Sequence, residues 1–126
     1  MATYQAAKAI SVEAGSAVTR YRFVVLASDG QYDLVGTAQT RADGVAGESA
    51  AAGEVFPMVI PNGAIVKVTA GAAVTRGVQI ASDNVGRAIT HVTTAGNYIL
   101  GKALDAASAA GEIIRVQFTG PHQDGA

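Results

Sequence analysis

Near its C-terminal end the chain alternates strictly between apolar and polar positions. Ile114, Val116 and Phe118 are interleaved with Arg115, Gln117 and Thr119, the two-residue period of a strand with one buried face. The same period predicts strands at two further places, where Ile10, Val12 and Ala14 face inward against Ser11 and Glu13, and Val66, Val68 and Ala70 against Lys67 and Thr69. Asp29-Gly30, Asp43-Gly44 and Asn62-Gly63 supply turn chemistry that accepts positive φ, which predicts short strands joined by hairpins. Pro57 and Pro61 bracket Met58-Val59-Ile60, and a proline cannot donate to a ladder, so this segment is expected at a sheet edge or as a crossover. The alanine runs 50–52 and 106–110 soon reach Gly-Glu and leave room for a single helical turn at most. Residues 1–9 read as a short N-terminal arm and the polar, breaker-rich residues 119–126 as a flexible tail. The expected fold is all-β, a small sandwich or barrel of about eight to ten strands.

Self-comparison adds an internal duplication. Ile10-Ser11-Val12-Glu13-Ala14-Gly15-Ser16-Ala17-Val18-Thr19-Arg20 matches the segment from Val66 to Arg76 at a shift of 56 residues. Ala27-Ser28-Asp29 aligns with Ala81-Ser82-Asp83 at a shift of 54. Gly44-Val45-Ala46 and Ala51-Ala52-Gly53-Glu54-Val55 pair with Gly101-Lys102-Ala103 and Ala109-Ala110-Gly111-Glu112-Ile113 at shifts of 57 and 58. The halves are read as residues 10–61 and 66–118 of one domain, meeting near Asn62.

Composition narrows the range of functions. Of 126 residues, 30 are Val, Ile, Leu or Phe, enough to fold but lean for a single chain, which favours an oligomer that shares its core. A net charge of −1 offers no basic stripe, so nucleic acid is not an expected partner. The absence of cysteine removes disulfides, thiolate metal sites and cysteine nucleophiles. No long apolar run and no basic, then apolar, N-terminal stretch occurs, so the chain reads as soluble, without a membrane partner and without a recognisable export signal.

Candidate chemistry is sparse. Gly96-Asn97-Tyr98-Ile99-Leu100-Gly101-Lys102-Ala103 begins like a phosphate-binding loop, but Ala103 lacks the oxygen that would hold Mg²⁺, and Asn97 to Leu100 read as strand where a helix must follow. His91 and His122 lack a third ligand in metal spacing and read as surface histidines. Asp29 and Asp33 flank a glycine without the oxygen pattern of a calcium loop, and Asp29 reads as a turn cap. No Gly-x-Ser-x-Gly elbow occurs, and Glu54 and Glu112 are explained by duplication. No catalytic residue, metal site or cofactor is expected. The tyrosines Tyr4, Tyr21, Tyr32 and Tyr98 are candidate contact residues, because tyrosine offers area at low entropic cost. Tyr4 belongs with Thr3 and Gln5 to the arm, and Tyr21 lies between Arg20 and Arg22.

Strand segments followed by Gly-x-Ala and Ala-Ala-Gly-Glu-(Val/Ile), above all the run from Ile99 to Val116, resemble the small capsid cement, or head decoration, proteins of tailed bacteriophages. The resemblance spans residues 10–118 loosely and 99–116 well; the family's Gly-Asp-x-Val element is replaced here by Gly15-Ser16-Ala17-Val18. It implies a non-enzymatic virion protein, made in the host cytoplasm, that forms homotrimers on the outer capsid surface and clamps neighbouring major capsid subunits. Competing readings are another virion module, such as a tail or fibre component, and a glycan-binding domain, for which a chain without tryptophan offers few aromatic platforms.

Overall fold

The computed structural model describes residues 8–123, which form ten strands and no helix. The first half supplies β1 (Ala9–Glu13), β2 (Phe23–Leu26), β3 (Tyr32–Leu34), β4 (Gly44–Ala46) and β5 (Val55–Val59). The second supplies β6 (Ile65–Thr69), β7 (Gln79–Ser82), β8 (Ala88–Thr90), β9 (Tyr98–Ala103) and β10 (Ile113–Gln123). Each half forms one antiparallel five-stranded sheet, in the orders β1-β5-β4-β2-β3 and β6-β10-β9-β7-β8. These are the same topology applied twice, so the duplication is one of architecture as well as of sequence.

The pairings fix the equivalences. Ala14 bridges Tyr32 as Ala70 bridges Ala88, both at a shift of 56; Gly44 opposes Val24 as Gly101 opposes Ile80, which sets β4 at a shift of 57 while β2 stays at 56; Val12 opposes Phe56 as Val68 opposes Ile114, which sets β5 at a shift of 58 while β1 stays at 56. The Ala-Ser-Asp match at 54 is therefore displaced by two residues. Ser82 closes β7, fully buried, and its counterpart is the exposed Leu26 rather than Ser28. Asp29 does cap its turn, accepting from the Gln31 amide at 2.9 Å, and Gly30 takes a φ of 85°.

Two apolar clusters hold the sheets. The larger joins the inward side chains of the second half, among them Val68, Ile80, Leu100, Ile114, Val116 and Phe118, to Phe23, Val35, Ala42 and Val45 from the first half. The smaller is the inner face of the first half alone, with Val24, Ala46, Phe56 and Met58 at its centre. Phe23 and Val24 thus point to opposite sides of one sheet, as strand alternation requires, and the Phe23 ring meets Phe118 at 5.9 Å between centroids. In β10 the predicted alternation holds, with Ile114, Val116 and Phe118 buried and Arg115, Gln117 and Thr119 exposed. In β1 it does not: Ile10, on the inner face opposite Met58, is 42% exposed, whereas its counterpart Val66 is 6% exposed.

Three further expectations are corrected. Pro57 lies in β5, which runs between β1 and β4 and is not an edge. The Pro57 carbonyl accepts from the Gly47 amide at 2.8 Å, so its nitrogen faces the point where β4 has already ended and no donor is needed. In the second half Arg115 takes this place; its carbonyl accepts from Leu104, and its amide, which has no strand partner, donates to Asp105 at 3.0 Å. Gly44 is not a turn residue but part of β4, where a Cβ would come within 2.3 Å of Met58. The expected tail is strand as far as Gln123: after an irregularity beyond Phe118, His122 pairs with Ile99 and Gln123 with Tyr98. Residues 124–126 lie outside the described residues.

The repeated Ala-Ala-Gly-Glu segment is a loop staple. Glu112 accepts from the Ser108 and Ala109 amides and the Ser108 hydroxyl, Glu54 accepts from the Ala51 amide, and Gly53 and Gly111 carry the positive φ between them. Arg115 grips Asp105 through two side-chain bonds of 2.9 Å, which lowers the Asp105 carboxyl from its ordinary 3.8 to about 2. The Ser108 hydroxyl leads the causes that lower Glu112. Carboxyls depressed by folding stabilise above their unfolded values and lose that contribution as pH falls through the folded ones. The thermal midpoint is therefore expected to drop as pH falls from about 4.5 to about 2. Asp105→Asn and Glu112→Gln should each flatten part of this drop in melts followed by circular dichroism; unchanged slopes in both variants would contradict it.

Candidate interaction surface

The two halves meet along a seam with a shallow apolar cleft of about 190 Å³ at one end. Val45 and Val59, paired across β4 and β5, form one wall; Ile65, Val66 and Lys67 of β6 form the other, and Tyr21 lies at the rim. Among the described residues Tyr21 is one of two outside glycine with positive φ, at 63°, a conformation that persists only when its surroundings hold it. Here the Tyr21 amide donates to the Ala46 carbonyl, its own carbonyl accepts from Thr69 across the seam, and Arg20 stacks its guanidinium 4.3 Å from the ring.

Gln39, at φ 65°, is the other, and it fastens the opposite end of the seam. Its amide donates to the Ser82 carbonyl, its carbonyl accepts from Tyr98, and its side-chain amide donates to Thr90 while accepting from Val92. Between these ends the Phe23 amide donates to Gly86 at 2.7 Å, and Arg22 reaches the Val85 carbonyl.

The tyrosines are not gathered into one patch. Tyr21 sits at the cleft, Tyr32 on edge strand β3 half-buried against the smaller core, and Tyr98 at the start of β9 against the larger core. Thr3, Tyr4 and Gln5 lie outside the described residues. His91 is buried and not on the surface, because it occupies the place that Val35 fills in the first half: its amide donates to Gln79 as that of Val35 donates to Phe23. Among the described residues, no three His, Asp or Glu side chains come together as a metal site would need.

Sequence reading missed the apolar residues left outside both cores. Val55 and Ile113, at equivalent positions opening β5 and β10, are 66% and 53% exposed, and Ile10 and Leu26 are exposed on the first half. The repeat carried the signal for the first pair, since both follow the Gly-Glu of the stapled loop.

A family model described as phage cement protein matches residues 4–118. The chain belongs to the phage cement protein family. As a member of that family it is a structural protein of a phage virion, in line with a surface of seams and exposed apolar points. Among solved structures the cement-family chain is similar to the N base of the head fiber gp8.5 of bacteriophage phi29, with a TM-score of 0.71 at 18% identity, covering 94% of this chain and 99% of that one. At that identity the likeness is one of fold. No curated protein matches the sequence.

Proposed function

We propose that this cement-family protein sits on the outer surface of the assembled capsid as a homotrimer and stabilises the shell by clamping neighbouring major capsid subunits. Membership of the phage cement family carries the reading. A ligand that binds only the assembled shell stabilises that state by mass action, and many copies of a modest contact add through multivalency. The fold suits such a role, its described residues forming strands and no helix and presenting Val55 and Ile113 as a repeated pair of apolar contacts. Residues 2–9, with Thr3, Tyr4 and Gln5, are proposed to reach a neighbouring subunit or the capsid, and deleting them should weaken capsid binding.

Quantitative mass spectrometry of purified virions tests the placement. A copy number of the same order as that of the major capsid protein is expected, together with shells that open at lower temperature when the chain is removed. Absence from the virion would overturn the reading. The likeness to a head-fiber base favours a second one, in which the chain seats a fibre on the head. A few copies per particle, with shell stability unaffected by their loss, would support that alternative.

A further inference from the structure

The contact between the halves is heterologous: the surface that the first half presents differs from the one with which the second half receives it. The first half presents Tyr21, Phe23 and Val45; the second receives them on Thr69, Gly86 and Val66. The repeat places a copy of each surface elsewhere. The counterparts of the receiving residues are Glu13, Gly30 and Ile10, with Leu26 in the place of Ser82. Those of the presenting residues are Gly77, Gln79 and Lys102. All seven are exposed. A Cβ at Gly86 would come within 2.7 Å of the Phe23 carbonyl, whereas one at Gly30 would meet nothing within 4 Å. Ser82 is fully buried, its carbonyl taken by the Gln39 amide of the first half, whereas Leu26 is 45% exposed.

We infer that the receiving face of the first half docks on the presenting face of the second half in another copy of this chain, repeating between chains the contact made within each. The charges match. On the receiving side Glu13 and Asp29, which precedes Gly30, outweigh the single cation Lys8, two residues before Ile10, and Gln31 donates to Glu13, which leaves further lone pairs for a cation. Lys102 and Arg76 make the presenting face basic. Lys102 takes the place of Val45, whose cleft is lined by Val66 and Lys67 from the two faces of edge strand β6, so its stem lies over Ile10 and its ammonium passes the open edge of β1 towards Glu13 on the opposite face. Phe23 and Val45 within the chain have become Gln79 and Lys102 between chains, the wetter and more polar chemistry of a surface that must also exist free in solution.

The inference rests on the homotrimer of the proposed function, in which three chains would close a ring of six half-units. Its test uses the full chain. ¹⁴N- and ¹⁵N-labelled protein are mixed, coupled with a zero-length carbodiimide and digested, in solution and on assembled capsids, while self-association is followed by sedimentation. A mixed-isotope Lys102–Glu13 peptide is expected. Lys102→Glu and Glu13→Lys should each weaken self-association at least about tenfold, and the double variant should recover it. An oligomer that persists in both single variants and yields no such peptide overturns this surface and leaves the trimer standing. A chain that is monomeric in solution and on the capsid overturns both.

Discussion

Phe23→Ala is expected to destabilise the protein by about 3–5 kcal/mol, the cost of emptying a fully buried phenylalanine site. Phe23 belongs to the first half by sequence but packs in the larger core, against Phe118. Its removal opens a void at the seam and strips cover from the inner face of the second half. Urea unfolding should show the midpoint falling sharply. Phe56→Ala supplies the contrast, because that ring fills only the smaller core and its loss leaves the seam intact. If Phe23→Ala shifted the midpoint by less than the range for exposed sites, about 0.5 kcal/mol, the seam would not be a shared core.

Gly101→Ala is expected to cost about 3 kcal/mol, at the upper end of overpacking. A Cβ there would lie 2.2 Å from the Gln117 carbonyl oxygen, in the backbone of the strand that pairs with it. The obstacle cannot move without breaking the β9–β10 ladder. Gly44→Ala, at the equivalent place, meets the Met58 side chain at 2.3 Å and the equivalent carbonyl, that of Val59, only at 2.9 Å, and should be milder because the side chain can move and the backbone is farther off. Comparing the two by urea midpoint tests whether the Gly-x-Ala repeat is a packing device. Equal, small effects would refute it.

This repeat shows what could be read from the chain. The Gly-x-Ala and Gly-Glu blocks align at their structural shifts because each residue type answers a fixed backbone demand: close approach at Gly44 and Gly101, positive φ at Gly53 and Gly111, and a carboxylate for orphan amides at Glu54 and Glu112. Ala-Ser-Asp misled because the same local demand is met two residues apart in the two hairpins: Asp29 accepts from the Gln31 amide and Asp83 from the Val85 amide, each at 2.9 Å, although the ladders set Ser82 at the place of Leu26. Pro57 misled because the rule against central proline concerns the donor, and the donor at that position faces past the end of β4. Residues 119–123 look like a tail by composition, yet β9 extends far enough to pair with His122 and Gln123. The seam was out of reach for another reason. Which side of a strand meets the other half depends on how two sheets stack, and Tyr21 and Gln39 carry no local mark of their left-handed conformations.

Gln39 also determines how the protein opens. The amides of Gln39, Val92 and Tyr98 are all committed to bonds that run between the first half and the second. Their exchange with solvent deuterium requires these bonds across the seam to open, so where the seam opens as a whole their protection should rise and fall together, distinct from the hairpin ends, which fray independently. Hydrogen exchange at these three positions is thus a built-in gauge of whether the duplicated chain opens as two bodies or as one.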